Sequence, residues 1–509
     1  MTMIRNRLLI LSLLAISLRG MAQDATPPTP QWRPVYHFTP DKYWTNDPNG
    51  LIYLNGKFQL YYQHNPQENK WGHMSWGHAE SADLVHWKHL PVAIHEVVTR
   101  DTTVYIYSGS AVIDKNNTSG FGKNGKGPIV AIFTGDLPKQ HKEAQYIAYS
   151  NDNGMSYKLY DKDPVIDLNM RDFRDPNVFW FAPKKQWIMT VSMVNEHMVR
   201  FYGSKDLKHW EKLSDFGPAG YTKNGWECPS MLPLPVNGNP ANTKYVLFVS
   251  NFGEHGPQMQ YFVGDFDGTK FTNLNPAEKM LRVDYGDCFY AAIAWRDAPA
   301  NKKILIGWLI NGKPETSPWK GQMSIPRDLS LRNTADGIRL FQNPAAIITN
   351  SLSKYAKGAV ISKTNLPVSG AMKLNGASHL NANSYWIDAE IQPGKSEKSG
   401  FIVASDADGS KKIEVGYNAA SKEIYVDCST AENANKDKRN LLQTAPVNAV
   451  NGVIRLRVLV DKSSLEVFGN GGEQVISTMI YPDKDATGLS AFASGTAVFK
   501  TLKIWDMDR

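Results

Sequence analysis

Between about Pro34 and Pro344 the apolar residues fall in short runs rich in aromatic and β-branched side chains. Phe58-Gln59-Leu60-Tyr61-Tyr62 and Tyr245-Val246-Leu247-Phe248-Val249 are examples, and Gly, Asn, Asp and Pro separate the runs. Such runs read as strands, because these side chains suit a pleated, half-buried surface and the residues between them are turn formers. The three-to-four-residue spacing of an amphipathic helix is hard to find here. The pattern therefore predicts an all-β region over residues 34–344.

A weak internal repeat refines that expectation. Asp47-Pro48-Asn49 before Leu51-Ile52-Tyr53 is echoed by Asp175-Pro176-Asn177 before Val178-Phe179-Trp180, and Asp83-Leu84-Val85-His86-Trp87 by Asp206-Leu207-Lys208-His209-Trp210. Glu227-Cys228-Pro229-Ser230 before Met231-Leu232 is a third copy of the first element. Repeated sheet units with irregular insertions predict a propeller. Its innermost strands converge on an axis, so acids at the starts of three such strands would meet at one end of the channel.

The pattern changes after Asn343-Pro344. Residues 345–365 read as a mixed linker, and residues 366–509 alternate polar and apolar, as in Ile454-Arg455-Leu456-Arg457-Val458-Leu459-Val460. Period-two alternation predicts a second all-β domain, a sandwich. Its acids, including those of Asp461-Lys462-Ser463-Ser464-Leu465-Glu466, read as surface and turn residues without a catalytic pattern.

Composition changes this picture little, but the N-terminus adds to it. A chain of 509 residues with 42% hydrophobic and 21% charged residues is globular and large enough for more than one core. Arg5 and Arg7, the apolar run Leu8 to Leu18 and the small residues before Gln23 form a secretory leader over residues 1–22. There is no cysteine at the cleavage point for a lipid anchor, so a periplasmic or secreted protein with no membrane anchor after cleavage is expected. The formal charge of +7 falls to +4 once Arg5, Arg7 and Arg19 leave with the leader. Scattered cations without a basic block imply no nucleic-acid partner. Cys228, Cys288 and Cys428 are odd in number and widely spaced, giving neither a disulfide framework nor a zinc pattern.

Three acids carry the candidate chemistry. Asp47 lies in Tyr43-Trp44-Thr45-Asn46-Asp47-Pro48-Asn49-Gly50, Asp175 in Asp172-Phe173-Arg174-Asp175-Pro176, and Glu227 in Trp226-Glu227-Cys228-Pro229. Any one of them alone reads equally as a turn residue or a structural ion pair. At equivalent points of separate sheets, they fit what glycoside hydrolysis requires: a nucleophilic carboxylate and a proton donor flanking one bond.

These stretches resemble the three signatures of the invertase, levanase and inulinase family, glycoside hydrolase family 32. Tyr61-Tyr62-Gln63-His64-Asn65-Pro66, Trp76-Gly77-His78-Ala79, Tyr107-Ser108-Gly109-Ser110 and Met323-Ser324-Ile325-Pro326-Arg327 match as well, over nearly all of the chain after the leader. The resemblance implies a five-bladed propeller with an axial pocket, a β-sandwich beside it, and hydrolysis of terminal β-fructofuranosyl bonds with retention, with no cofactor. It makes Asp47 the nucleophile, Glu227 the general acid and base, and Asp175 the stabiliser of the transition state. Retention places the two working carboxyl groups about 5–5.5 Å apart. Burial and neighbouring carboxylates are expected to raise the pKa of Glu227, and Arg174 to keep Asp175 ionised. By position, substrate contacts fall to Asn46, Gln63, Trp71, Tyr107, Ser108, Arg174 and Trp319.

One departure stands out. In Asp284-Tyr285-Gly286-Asp287-Cys288-Phe289-Tyr290 a cysteine takes the place of an acid usual in the family, which puts in question the hydrogen bonds this loop gives to the pocket rim. Cys228, beside the proposed acid, reads as core. His73, His78, His86 and His89 are dense but follow no zinc spacing, so no metal site is expected. Trp44 and Trp71 are expected as flat walls for sugar faces. The leading function is an exo-acting β-fructosidase on levan or inulin and on sucrose. The rivals are an endo-acting levanase or inulinase and a fructan-binding protein whose site has decayed. Linkage preference and oligomeric state stay open.

Overall fold

The computed structural model describes residues 28–507 apart from 255, 311–315, 357–358, 375–382 and 432–439; the proposed leader lies outside the described residues. Strands dominate. Among the described residues the only α-helices are Ala346–Thr349 and Leu352–Tyr355, and no helix is long and apolar enough to cross a membrane.

Residues 43–344 form four hydrogen-bonded sheets that make five propeller blades, the nine-stranded sheet holding the last two, joined through the parallel pair Val236 and Leu331. Their innermost strands are Tyr43–Leu54, Thr103–Ile113, Phe173–Phe181, Glu227–Val236 and Phe289–Ala294. The expected repeat is a blade repeat. Asp83 and Asp206 occupy the same turn of the first and third blades. Each carboxylate accepts hydrogen bonds from backbone N–H groups two and three residues on, and Leu84 and Leu207 follow at positive φ with fully buried side chains.

The ring closes where the chain begins. Tyr43 and Trp44 pair in parallel with Trp319 and Lys320, and the backbone of Arg296, just past the fifth inner strand, bonds to Leu51 and Tyr53 of the first. Polar side chains stitch neighbouring blades below the pocket. The Gly109 N–H donates to Asn49, Ser110 bonds the backbone of Pro176 and Val178, and Thr190 donates to the Pro229 carbonyl. Apolar side chains fill the space between blades as well, with Trp76, Phe133, Phe173, Trp226 and Trp295 fully buried.

The second domain is a sandwich sewn together by its last strand, Gly488–Asp506, which pairs with Ile361–Lys373, Ser384–Gln392 and Lys398–Ser405. The alternation seen in sequence around Ile454–Asp461 buries Ile454, Leu456, Val458 and Val460 and leaves Arg455 exposed. The two domains meet through a buried polar cluster. Asp461 accepts hydrogen bonds from the Val35, Tyr36 and His37 N–H groups and from the His37 ring, whose other nitrogen meets Glu466 at 2.9 Å. Arg327 joins Glu466 to Asp284 and Ser477, with every one of these side chains at or near zero exposure. Asp461 and Glu466 are therefore interface groups and not the surface acids expected from sequence. Their carboxylates are buried because partners from other stretches of the chain neutralise them.

Candidate active site

Every inner strand carries the same irregularity. In the first blade Thr45 pairs with His64 and Pro48 with Tyr62, so two residues, Asn46 and Asp47, oppose one. The same two-against-one step occurs between Ile106 and Gly109, Arg174 and Asn177, Glu227 and Ser230, and Tyr290 and Ile293. Each is a β-bulge, which leaves backbone unpaired, bends the strand and re-aims its side chains. The five steps hold Asn46-Asp47, Tyr107-Ser108, Asp175-Pro176, Cys228-Pro229 and Ala291-Ala292. Proline is tolerated in two of them because a residue there donates no ladder hydrogen bond. Asp175, Cys228 and Ala291 sit at φ values of 65°, 50° and 53°, a left-handed geometry that non-glycine residues adopt at a cost and that clusters at functional sites.

The bulges bring the three acids to one end of the axis. Asp47 receives the Ser108 hydroxyl at 2.6 Å on Oδ2 and the Asn46 amide at 3.2 Å on Oδ1, while Asn46 is itself held by the Trp44 indole N–H. Asp175 Oδ2 accepts the Cys228 N–H at 2.9 Å. The Cys228 thiol lies 3.5 Å from both Asp47 Oδ2 and Asp175 Oδ2, so one small group bridges the two carboxylates. Burial, and then the surrounding carboxylates, push this thiol up, which keeps it a protonated donor. Glu227 is held at both oxygens. Arg174 donates to Oε1 at 2.9 Å and the Tyr290 hydroxyl to Oε2 at 2.5 Å, and the side chain keeps about 25% exposure. Arg174 is oriented in turn by Glu143, fully buried, whose Oε2 accepts its Nε at 3.0 Å, and by Asp172.

Electrostatics separate the acids. Burial lifts Asp47 above the usual carboxylate range; the Ser108 hydrogen bond opposes this and the Glu227 charge adds to it. Asp175 is pushed up to about 8, first by burial and then by Glu227 and Asp47. The expectation that Arg174 keeps Asp175 ionised is thus overturned. The guanidinium's hydrogen bonds go to Glu143, Asp172 and Glu227, and its attraction for Asp175 across space does not outweigh desolvation among like charges.

The remaining expected contacts divide. Ser108, Asn46 and Arg174 touch the acids directly. Tyr107 lies in the second bulge with its hydroxyl on Asp136 at 2.9 Å, and Gln63 faces the first bulge with its amide on the Ile106 carbonyl. Trp71 stands at the rim, 53% exposed, with edge contacts to Tyr105 and Tyr107. Trp319 is not brought to the site as an open face. It is 1% exposed at the ring closure, with the Arg33 guanidinium 4.1 Å over its ring.

Cys228 is buried in a small apolar cluster with Tyr290 and Ala291, as its reading as core expects, and its contacts with the carboxylates, like that of Tyr290 with Glu227, have no signal in the sequence. In the loop from Asp284 to Tyr290, Cys288 is buried with its thiol 3.2 Å from the Ser477 carbonyl of the sandwich, away from the pocket rim. Asp284 and Asp287 also bond sandwich residues, so this loop serves the domain interface and only Tyr290 reaches the pocket. The four clustered histidines have separate partners: His73 meets Glu96, His78 Gln59, His86 Asp83, and His89 packs on Phe38.

Two family profiles cover this architecture, that of the glycosyl hydrolases family 32 N-terminal domain over residues 37–344 and that of the family 32 C-terminal domain over residues 351–506. The chain belongs to glycosyl hydrolase family 32. It is 41% identical over 501 residues to a levanase of Bacillus subtilis (strain 168), covering 96% of this chain and 72% of that one. It is 35% identical over 505 residues to an extracellular exo-inulinase of Aspergillus awamori, covering 91% and 92%. Among solved structures, the exo-inulinase of Aspergillus awamori superposes with a TM-score of 0.84 at 31% identity over 93% of this family 32 chain and 98% of its own. A β-fructofuranosidase of Schwanniomyces occidentalis complexed with fructosyl-erythritol gives 0.84 at 28% identity over 94% and 98%.

Proposed function

We propose that this glycoside hydrolase releases terminal β-D-fructofuranosyl units from levan or inulin, and from sucrose, with retention of configuration. The observation that carries the reading is the convergence of Asp47, Asp175 and Glu227 from three blades onto one pocket, with separate partners for each. Levanase and exo-inulinase relatives support the substrate class.

In this mechanism Asp47 attacks the anomeric carbon of the terminal fructose, steadied by the Ser108 and Asn46 donors. Glu227 hands a proton to the departing oxygen, then takes one from the water that frees the sugar. Its partial exposure lets the water of the second step reach it, and deprotonating that water restores the proton given up in the first. Asp175 bonds sugar hydroxyls, and as positive charge builds on the ring its ionised form is favoured, so the stabilisation grows towards the transition state. Gln63, Tyr107 and Arg174 line the sugar site, with Trp71 as a flat wall at its mouth. Neither metal nor cofactor takes part in this reading; chelator is expected to leave turnover unchanged.

The propeller, residues 34–344, would hold all of the chemistry, with the strand from Ile361 counted with the sandwich. The levanase and extracellular exo-inulinase relatives also support a secreted enzyme. For the leader, N-terminal sequencing of exported protein should begin at Gln23.

The deciding experiment compares products from levan, inulin and sucrose side by side. Free fructose from the start is the expected outcome. An oligosaccharide ladder would mean endo action, and no reducing sugar from any of the three would reduce the chain to a fructan-binding protein.

A further inference from the structure

The inner strands that begin at the catalytic pocket end at a second cavity. Ile113, Phe181 and Pro233, at or near the far ends of the second, third and fourth inner strands, line a space of about 450 Å³, and Arg296, just after the fifth, forms its inner wall. It lies at the opposite mouth of the axis from Asp47 and Glu227. Its size falls within the range of small-molecule sites.

Its chemistry is that of an anion site. Arg296 donates to the amide oxygen of Asn177 and lies 5.6 Å from the Phe179 ring centre; Lys303 donates to the amide oxygen of Asn301 at 2.8 Å. Both hydrogen bonds go to neutral groups. The carboxylate facing these cations is Asp297, which already pairs with Lys115 at 2.5 Å. Two cations held near one another at half-buried positions, with the local carboxylate engaged elsewhere, repel each other and are relieved by a shared anion. Burial lowers Arg296 to about 10 and also lowers Lys303, with Arg296 contributing there, and the attraction of Asp297 for both does not make up the loss. Trp180, Phe181 and Tyr245 supply flat apolar walls beside this pair.

We propose that the cavity at the rear of the propeller binds a small organic anion: an oxyanion head between Arg296 and Lys303, and a flat or cyclic body against Trp180 and Tyr245. This site has its own lining, touching the hydrolytic pocket only through Asn177, the partner of Arg296, and stands whether or not the fructosidase reading holds.

The probe is 1-anilinonaphthalene-8-sulfonate, a sulfonate on an aromatic body, titrated by fluorescence into the full folded chain, with inorganic phosphate as competitor. One saturable site per chain is expected, displaced by phosphate and indifferent to fructose. Lys303→Gln and, separately, Trp180→Ala should each weaken the probe at least tenfold while hydrolysis of fructosides stays at the parent rate, which reports that the variants fold. Absence of saturable binding overturns the proposal. Binding that both variants leave unchanged, or that fructose displaces, puts the probe elsewhere and overturns it equally.

Discussion

Asp175 is costly to keep ionised. Its folded pKa is raised to about 8, so the stability it contributes is present below its ordinary value of 3.8 and is lost as pH rises through about 8. Replacing it removes that loss. Asp175→Asn should therefore melt higher than the parent at pH 8, with the gain shrinking towards pH 4, while turnover falls sharply; thermal melts at the two pH values check the sign. Asp47→Asn should lower turnover by more than about 10³-fold with the fold intact by circular dichroism. A folded Asp47→Asn variant of near-parent activity would remove Asp47 as nucleophile. Glu227→Gln should cost about 10²–10⁴-fold on sucrose and fructans, whose leaving groups need a proton, and far less on an activated aryl fructoside. Equal loss on both would count against the acid role.

At this scale the acids were legible because prolines and turn formers mark them in sequence, three times over. Their environment was not. Cys228 looked like core since a lone thiol carries no pattern, and it proved to be buried and still to bridge two carboxylates. Arg174 is adjacent to Asp175 in sequence, yet its donors point to Glu143, Asp172 and Glu227, a direction only the bulge fixes.

At the scale of the element, the bulge is what turns a strand into part of a site. A strand's register is shared with its partner, so a two-against-one step cannot be seen in one strand alone. The strands themselves, and the blade repeat, were readable from apolar runs and the paired Asp-Leu turns. Gly109 illustrates the constraint on a bulge's exit. A methyl group there would lie 2.1 Å from the Ile132 carbonyl oxygen and 2.6 Å from the Phe133 Cα, both backbone and unable to yield. Gly109→Ala should cost about 1–3 kcal/mol through overpacking. It should also lower turnover, because Ser108, one residue earlier, loses its place on Asp47. Denaturant melts and fructose release measured on one preparation test both effects.

For the whole molecule, the domain interface sets a pH window. Burial alone would lower His37, but its hydrogen bonds to Asp461 and Glu466 win and raise it from 6.5 to about 9. That contribution is complete below about 6.5 and is lost as pH rises through 9. Burial would raise Glu466, but the Arg327 charge and the His37 hydrogen bond win and lower it from 4.5 to about 2, so its contribution is present above 4.5 and lost as pH falls through 2. The network is fully formed between those limits. His37→Gln, which removes the positive charge between two buried carboxylates that keep their other donors, should cost about 1–3 kcal/mol near pH 6 and flatten the alkaline fall of the melting temperature. No sequence pattern foretold this cluster, because His37, Asp284, Arg327 and the Asp461–Glu466 pair come from four distant stretches that only the packed domains unite. The two domains themselves were legible from the change of hydrophobic pattern after Pro344.

The ring of bulges has a consequence for change as well as for catalysis. Regular pairing resumes on both sides of each step, so the residues in a step can be exchanged without rewriting the blade that presents them. Four of the five positions already carry reactive or hydrogen-bonding groups. The fifth, Ala291-Ala292, holds only methyl groups. Both are buried, Ala291 against Cys228 and Tyr290, so this step closes the wall of the pocket, and a larger side chain there would have to displace the groups that hold the acids.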